Sequence, residues 1–183
     1  MGRLSADDWA KAALTALAEG GLAAVAVEPL AARLGASKGS FYWHFPNRQA
    51  LVQAALEHWE RDTDKITARL GRIPDPRERL RTLLEWAFAD PAAAAISFRL
   101  ISEADDPQIA EVAKRVNERR MSFMCATLVE TGRPEPEARR RVLAGYASYL
   151  GIAALRRLAI VHEDPMTLID IALAELLGPP VNG

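Results

Sequence analysis

Among its 183 residues the chain has one cysteine, Cys125, and no apolar run long enough to cross a membrane. A lone thiol excludes an intramolecular disulfide framework and any multi-cysteine zinc site, and it suits a reducing compartment. The longest apolar stretch, residues 142–155, is short of the roughly 18 residues a span requires. It also holds Ser148, Tyr146 and Tyr149 and has arginines on both flanks, so it reads as a buried helix. Charge of one sign is missing too, since 23 basic side chains face 24 acidic ones. No phosphate loop and no dinucleotide fingerprint occur. The opening Met1-Gly2-Arg3-Leu4-Ser5-Ala6 lacks the serine or threonine that myristoylation needs at position 6, and it is no secretory leader. A cytoplasmic protein is expected.

What the chain has is alanine, at 34 positions, and apolar residues at helical spacing almost throughout. Alternating strand patterns are missing. The expectation is an all-α fold of about nine helices. Ser5 can cap the first, whose stripe is Trp9, Ala12, Ala13, Ala16 and Leu17, and Gly20-Gly21 ends it. Further helices are expected at 29–34, 38–45, 47–70, 76–89, 91–104, 107–131, 134–161 and 165–177. Asp75, Asp90, Asp106 and Asp164 each precede a proline and are the expected N-caps. The long fourth helix carries Val52, Leu56, Trp59, Thr63, Ile66 and Leu70 along one stripe.

Residues 27–48, VEPLAARLGASKGSFYWHFPNR, are the informative segment. Two short helices joined by Gly35-Ala36 make a helix-turn-helix whose second helix would enter a DNA major groove. Phe41 and Phe45 lie four apart, share a face and would pack against Leu30, Leu34 and the first helix. Lys38, Ser40, Tyr42, Trp43 and His44 then point elsewhere. Spacing alone leaves two readings open: a DNA-reading helix, or a helix pair whose Tyr42 and Trp43 belong to a larger core.

The run Leu30-Ala31-Ala32-Arg33-Leu34-Gly35-Ala36-Ser37-Lys38-Gly39-Ser40-Phe41-Tyr42-Trp43-His44-Phe45-Pro46-Asn47-Arg48 resembles the helix-turn-helix signature of the TetR family of bacterial transcriptional regulators. The likeness extends back through the first helix and on through residues 50–59, about a third of the chain. It implies an N-terminal helix-turn-helix domain at 1–48 and a helical ligand-binding and dimerisation domain at 49–178, with the fourth helix as connector and a flexible tail at 179–183. It further implies that Ser37, Lys38 and Gly39 hold phosphates, that Ser40, Tyr42, Trp43 and His44 face the groove, and that Arg48 clamps the DNA backbone. Val27 departs from the pattern, because a threonine or serine there would cap the second helix and touch a phosphate. The N-terminal arm offers one charge, Arg3, so no reach into the minor groove is expected.

Through residue 50 the bases Arg3, Lys11, Arg33, Lys38 and Arg48 oppose Asp7, Asp8, Glu19 and Glu28, a net of +1 (5 − 4). Few phosphate contacts per protomer and dependence on a dimer follow. A fourth helix of about 36 Å, at about 1.5 Å per residue, would act as a lever on half-sites about 34–36 Å apart. An effector pocket is expected from His58, Trp59, Trp86, Phe88, Phe98, Met121, Phe123, Met124, Cys125 and Tyr146, a set that suits an apolar or aromatic molecule. By the same resemblance the last two helices form the dimer interface. Its residues would be Ala144, Ala147, Ser148, Gly151, Ala154, Leu155 and Leu158 on one helix and Ile169, Leu173 and Leu176 on the other.

Catalysis is not expected: Ser40 and His44 lie four apart without an orienting carboxylate. His58 with Asp62, and His162 with Glu163 and Asp164, would need ligands from elsewhere to hold a metal. Neither a metal nor another cofactor is expected. The resulting expectation is a homodimeric regulator, most simply a repressor, released from a palindromic operator by a small molecule. The alternative is a helical ligand- or partner-binding module whose head has lost DNA affinity.

Overall fold

A computed structural model of the chain describes residues 4–178; Arg3 and the 179–183 tail lie outside the described residues. Ser5 starts the first helix, α1 (Ala6–Gly20), through a reciprocal cap. Its side chain accepts from the Asp8 amide at 3.2 Å and the Asp8 carboxylate accepts from the Ser5 amide at 2.8 Å. Loss of such a cap costs about 1 kcal/mol. Gly21, at φ 69°, closes α1 with its N–H on the Leu17 carbonyl. A 3-10 turn at Leu22–Ala24 follows, an element the sequence pattern does not signal.

Eight more helices follow: α2 (Val27–Arg33), α3 (Lys38–His44), α4 (Arg48–Leu70), α5 (Pro76–Ala89), α6 (Pro91–Ser102), α7 (Pro107–Glu130), α8 (Glu135–Arg157) and α9 (Pro165–Leu177). No strand occurs among the described residues. The aspartates before the prolines all cap. Asp75 accepts from the Arg77 amide, Asp90 from Ala92 and Ala93, Asp106 from Gln108 and Ile109, and Asp164 from Met166 and Thr167. Helix α2 begins two residues before Pro29, with Ala26 as an N-cap that offers no side-chain oxygen.

Helix α8 stops at Arg157, four residues short of the expected 161. Ala159 turns left-handed at φ 52°, and the Ile160 amide reaches back to the Leu155 carbonyl at 3.1 Å. That is the hydrogen-bond pattern of a helix stop that glycine usually supplies, so an alanine hides it from the sequence.

Contacts divide the chain into two compact units, Met1–Thr63 with Arg99–Lys114 and Asp64–Phe98 with Arg115–Gly183; α4, α6 and α7 contribute to both. In the first, Trp9, Leu17, Phe41, Leu51 and Leu56 are fully buried. The Trp9 and Phe41 rings meet edge-on at 5.6 Å, and Phe45 stacks on Phe41 at 5.9 Å. Truncating such an aromatic to alanine costs about 3–5 kcal/mol. The His58 ring is buried between two carboxylates, with Nδ1 2.8 Å from Asp7 and Nε2 3.0 Å from Asp62.

The core of the second unit joins Leu80, Leu84 and Phe88 of α5, Met124 and Leu128 of α7, Val142 and Tyr146 of α8, and Leu168, Ile169, Leu173 and Leu176 of α9. Gly145 lets α9 close in, since a Cβ there would stand 2.9 Å from Leu176 Cδ2. Two expectations are corrected. Ile169, Leu173 and Leu176 are buried in the chain's own core and are not available to a partner; the apolar stripe of α9 faces inward. Ile66, assigned to the buried stripe of α4, is exposed.

Candidate nucleic-acid interface and effector cavity

Helix α3 has only seven residues, and its two faces differ in kind. Phe41 and the following Phe45 are buried, whereas Tyr42 is 56% and Trp43 72% exposed. The Ser37 hydroxyl caps the helix by accepting from the Ser40 amide at 3.2 Å. Gly39 has no internal steric reason to be glycine. A Cβ there would meet Ser37 Oγ alone, at an ordinary 3.6 Å, and its φ is not left-handed. A glycine inside a helix costs roughly 1 kcal/mol against alanine.

The basic residues of this face are held by the chain itself. Lys38 Nζ donates to Glu28 Oε1 at 2.8 Å. That hydrogen bond holds the Glu28 carboxyl below the usual carboxylate range and raises the Lys38 ammonium above its ordinary value. Arg48 donates from Nε to the Val25 carbonyl at 2.6 Å and also to the Leu22 carbonyl, bracing the 3-10 turn ahead of α2. The Nε2 of His44 lies 3.0 Å from the Leu4 carbonyl, so this half-buried ring ties down the segment ahead of α1. Arg33 is ion-paired with Glu19. The structure thus gathers Ser37, Lys38, Gly39, Ser40, Tyr42 and Trp43 on and around one exposed helix, while His44 and Arg48 have structural partners. The Glu28 partner and the Leu4 contact are legible in no sequence motif.

Of the ten residues expected to line a pocket, Phe88, Met121, Met124, Cys125 and Tyr146 meet in the core of the second unit. Phe88 lines a cavity. His58 and Trp59 are buried in the first unit, and Arg69 covers the Trp86 ring at 4.5 Å. Met124 and Tyr146 are core, with the Tyr146 hydroxyl donating to Asn117 Oδ1, and Met121 and Cys125 pack against that core. Phe98 and Phe123 are half-buried. The cavity measures about 180 Å³ and lies among α5, α6 and α8, with walls of Phe88, Ala94, Ala95, Tyr149 and Ile152 and with Arg156 and Arg157 at its edge. Burial pushes the Tyr149 hydroxyl up to about 12. A second hollow of about 300 Å³ lies between α8 and α9.

Along α8, Leu143, Ala144, Ala147, Ser148, Gly151, Leu155 and Leu158 are all exposed, and Ala154 is half-buried. This is one continuous stripe at helical spacing. A Cβ on Gly151 would meet nothing within 4 Å. No helix is long and apolar enough to cross a membrane, and no cluster of three or more metal-ligating side chains occurs, among the described residues.

Residues 10–55 match the bacterial regulatory proteins, tetR family. No curated protein matches the chain. Among solved structures, a TetR-family transcriptional regulator from Agrobacterium tumefaciens superposes with a TM-score of 0.76 at 22% identity, covering 93% of this chain and 95% of its own. A Saccharomonospora viridis protein in complex with choline gives 0.76 at 18% identity, over 91% and 92%. FadR of Bacillus subtilis in complex with stearoyl-CoA gives 0.70 at 15% identity, over 93% and 97%. At these identities the superpositions carry the fold. The matched segment, residues 10–55, is the one that builds α1 to α3 and the start of α4, and over that segment the chain is similar to the tetR family of bacterial regulatory proteins.

Proposed function

We propose that the chain is a ligand-responsive, DNA-binding transcriptional regulator that works in the cytoplasm as a homodimeric repressor. The observation that carries this is the division of α3. The helix buries Phe41, with Phe45 just beyond it, yet leaves Tyr42 and Trp43 in solvent beside a glycine that nothing in the chain requires. Large exposed aromatics and an unfilled Cβ position suit the close approach of a phosphate backbone, with α3 set into a major groove. Ser37, Lys38 and Gly39 would position phosphates, and Ser40, Tyr42 and Trp43 would reach the groove. His44 and Arg48 would act chiefly by fixing the segments around the helix.

The exposed stripe of α8 supplies the two-fold contact that a symmetric operator requires. Small residues at Ala144, Ala147, Ser148 and Gly151 admit a partner helix closely, and Leu143, Leu155 and Leu158 flank them. Met166 and Ile171 take the place of the buried α9 residues. The alternative module without DNA affinity is separated by one experiment: gel shift of the purified protein on the DNA upstream of its own gene. A shift that Tyr42→Ala and Lys38→Ala each weaken at least about tenfold, without loss of helicity, supports the regulator. Unchanged affinity in both variants, or no shift by the wild-type protein, refutes it.

A further inference from the structure

We infer that the cavity among α5, α6 and α8 receives a compact apolar carboxylate. The inference rests on the regulator reading above and names the chemical class of its effector. The walls are aliphatic and aromatic, with Ala94, Ala95 and Ile152 beside the Phe88 and Tyr149 rings, which meet edge-on at 5.7 Å. A volume of about 180 Å³ is below the common range of drug-sized sites, which begins near 300 Å³, so the occupant is small. A benzoate-sized or six-carbon acid fits that description.

Charge decides the class. Arg156 and Arg157 both line the cavity, and among the described residues neither is ion-paired with a carboxylate. Arg79, Arg133 and Arg141 of the same unit are each ion-paired. Arg156 gives Nη2 to the Glu163 carbonyl at 3.3 Å, which holds the side chain in place without neutralising it. The two guanidiniums occupy the last turn of α8, where they offset the negative end of the helix dipole, and they remain forks suited to a carboxylate. Asp90, whose charge acts on the Tyr149 hydroxyl, has one carboxylate oxygen committed to the Ala92 and Ala93 amides as the cap of α6. A quaternary ammonium of the choline type would lie against two positive charges.

The test is calorimetric titration of the full chain with benzoate and hexanoate, set against benzamide, hexanamide and choline. The acids are expected to bind at least about tenfold more tightly than the matching amides, the increment of about one charge-assisted hydrogen bond. The double variant R156Q/R157Q should bring acid and amide together while leaving amide binding in place. Arg157→Gln alone, at an exposed position with no ion pair among the described residues, should reduce the ratio without affecting the fold. Ile152→Trp should abolish binding of every probe. Equal affinity for acid and amide in the wild type, choline binding more tightly than either, or no binding by any probe would overturn the assignment. Gel shift with each probe keeps the two readings apart. An acid that binds and leaves the DNA complex intact upholds the cavity's class and counts against ligand response. Release by an uncharged compound does the opposite.

Discussion

His58 Nδ1 lies 2.8 Å from Asp7 Oδ1, so the middle of α4 and the first turn of α1 share a hydrogen bond within the first unit. With Asp62 on the other ring nitrogen, the buried imidazole has no apolar substitute of equal geometry. His58→Ala is expected to lower stability by about 2 kcal/mol, the range for hydrogen bonds to charged groups, read as a fall in the denaturation midpoint. The Asp7 carboxyl is held below its ordinary range, first by Lys11 and then by His58. A depressed carboxylate contributes stability above its unfolded value and loses it as pH falls. Asp7→Asn should therefore be less stable than wild type at pH 7, and the gap should close in acid melts.

On the proposed reading, Glu28, 2.8 Å from Lys38 Nζ, would compete with DNA for the Lys38 ammonium. Glu28→Gln removes the competitor and one negative charge from the DNA-facing side, so affinity for the duplex should rise several-fold at low salt. The slope of log K against log salt should steepen by about 0.9 if one further phosphate is neutralised. Fluorescence anisotropy across a salt series measures both. An unchanged slope would show that Glu28 does not keep Lys38 from a phosphate.

At Ala159 the left-handed turn strains an L residue by roughly 1–2 kcal/mol, partly recovered in the unfolded chain when glycine replaces it. Ala159→Gly should stabilise the protein by roughly 0.5–1 kcal/mol net. Thermal melts would register this as a higher Tm.

The Tyr149 hydroxyl holds its proton up to about 12 because it is buried. An unfolded tyrosine gives up its proton near 10. Stability from this group is whole below about pH 10 and is lost as pH climbs toward 12. Tyr149→Phe should flatten that alkaline decline in a series of denaturant melts. Absorbance titration of the folded wild type should show one of its three tyrosines ionising last.

Gly151→Arg should separate the protomers without harming them. The position is open inside the subunit, and arginine is a better helix former than glycine by roughly 0.8 kcal/mol. Sedimentation should report a monomer with full helicity and much-reduced operator binding.

The helix order could be read from the sequence because its stops and starts are chemical: a serine box at α1 and four Asp-Pro caps farther on. The α3 faces were legible for the same reason, since Phe41 and Phe45 repeat at the period of the helix. What could not be read was the partner of an apolar face. The stripes of α8 and α9 look alike along the chain, yet α9 turns Ile169, Leu173 and Leu176 inward and α8 leaves Ala147 and Gly151 out. A helix stop made with Ala159, and a cavity defined by Tyr149 and two arginines from the far end of α8, carry no local signature. Side-chain pairing such as Lys38 with Glu28 depends on the turn between α2 and α3 and is set in three dimensions.

Phe88, Tyr149 and Ile152 line the 180 Å³ cavity on one side and the hollow between α8 and α9 on the other. A partition made of these three side chains would make equilibria on its two sides reciprocal. In a dimer formed on the α8 stripe, as proposed, whatever free energy an occupant gained by pushing on the partition would be returned, in equal measure, as a change in how tightly the second subunit seats against the opposite side. Diluting the protein would then alter its apparent grip on a small molecule, and cellular copy number would become part of the dose response.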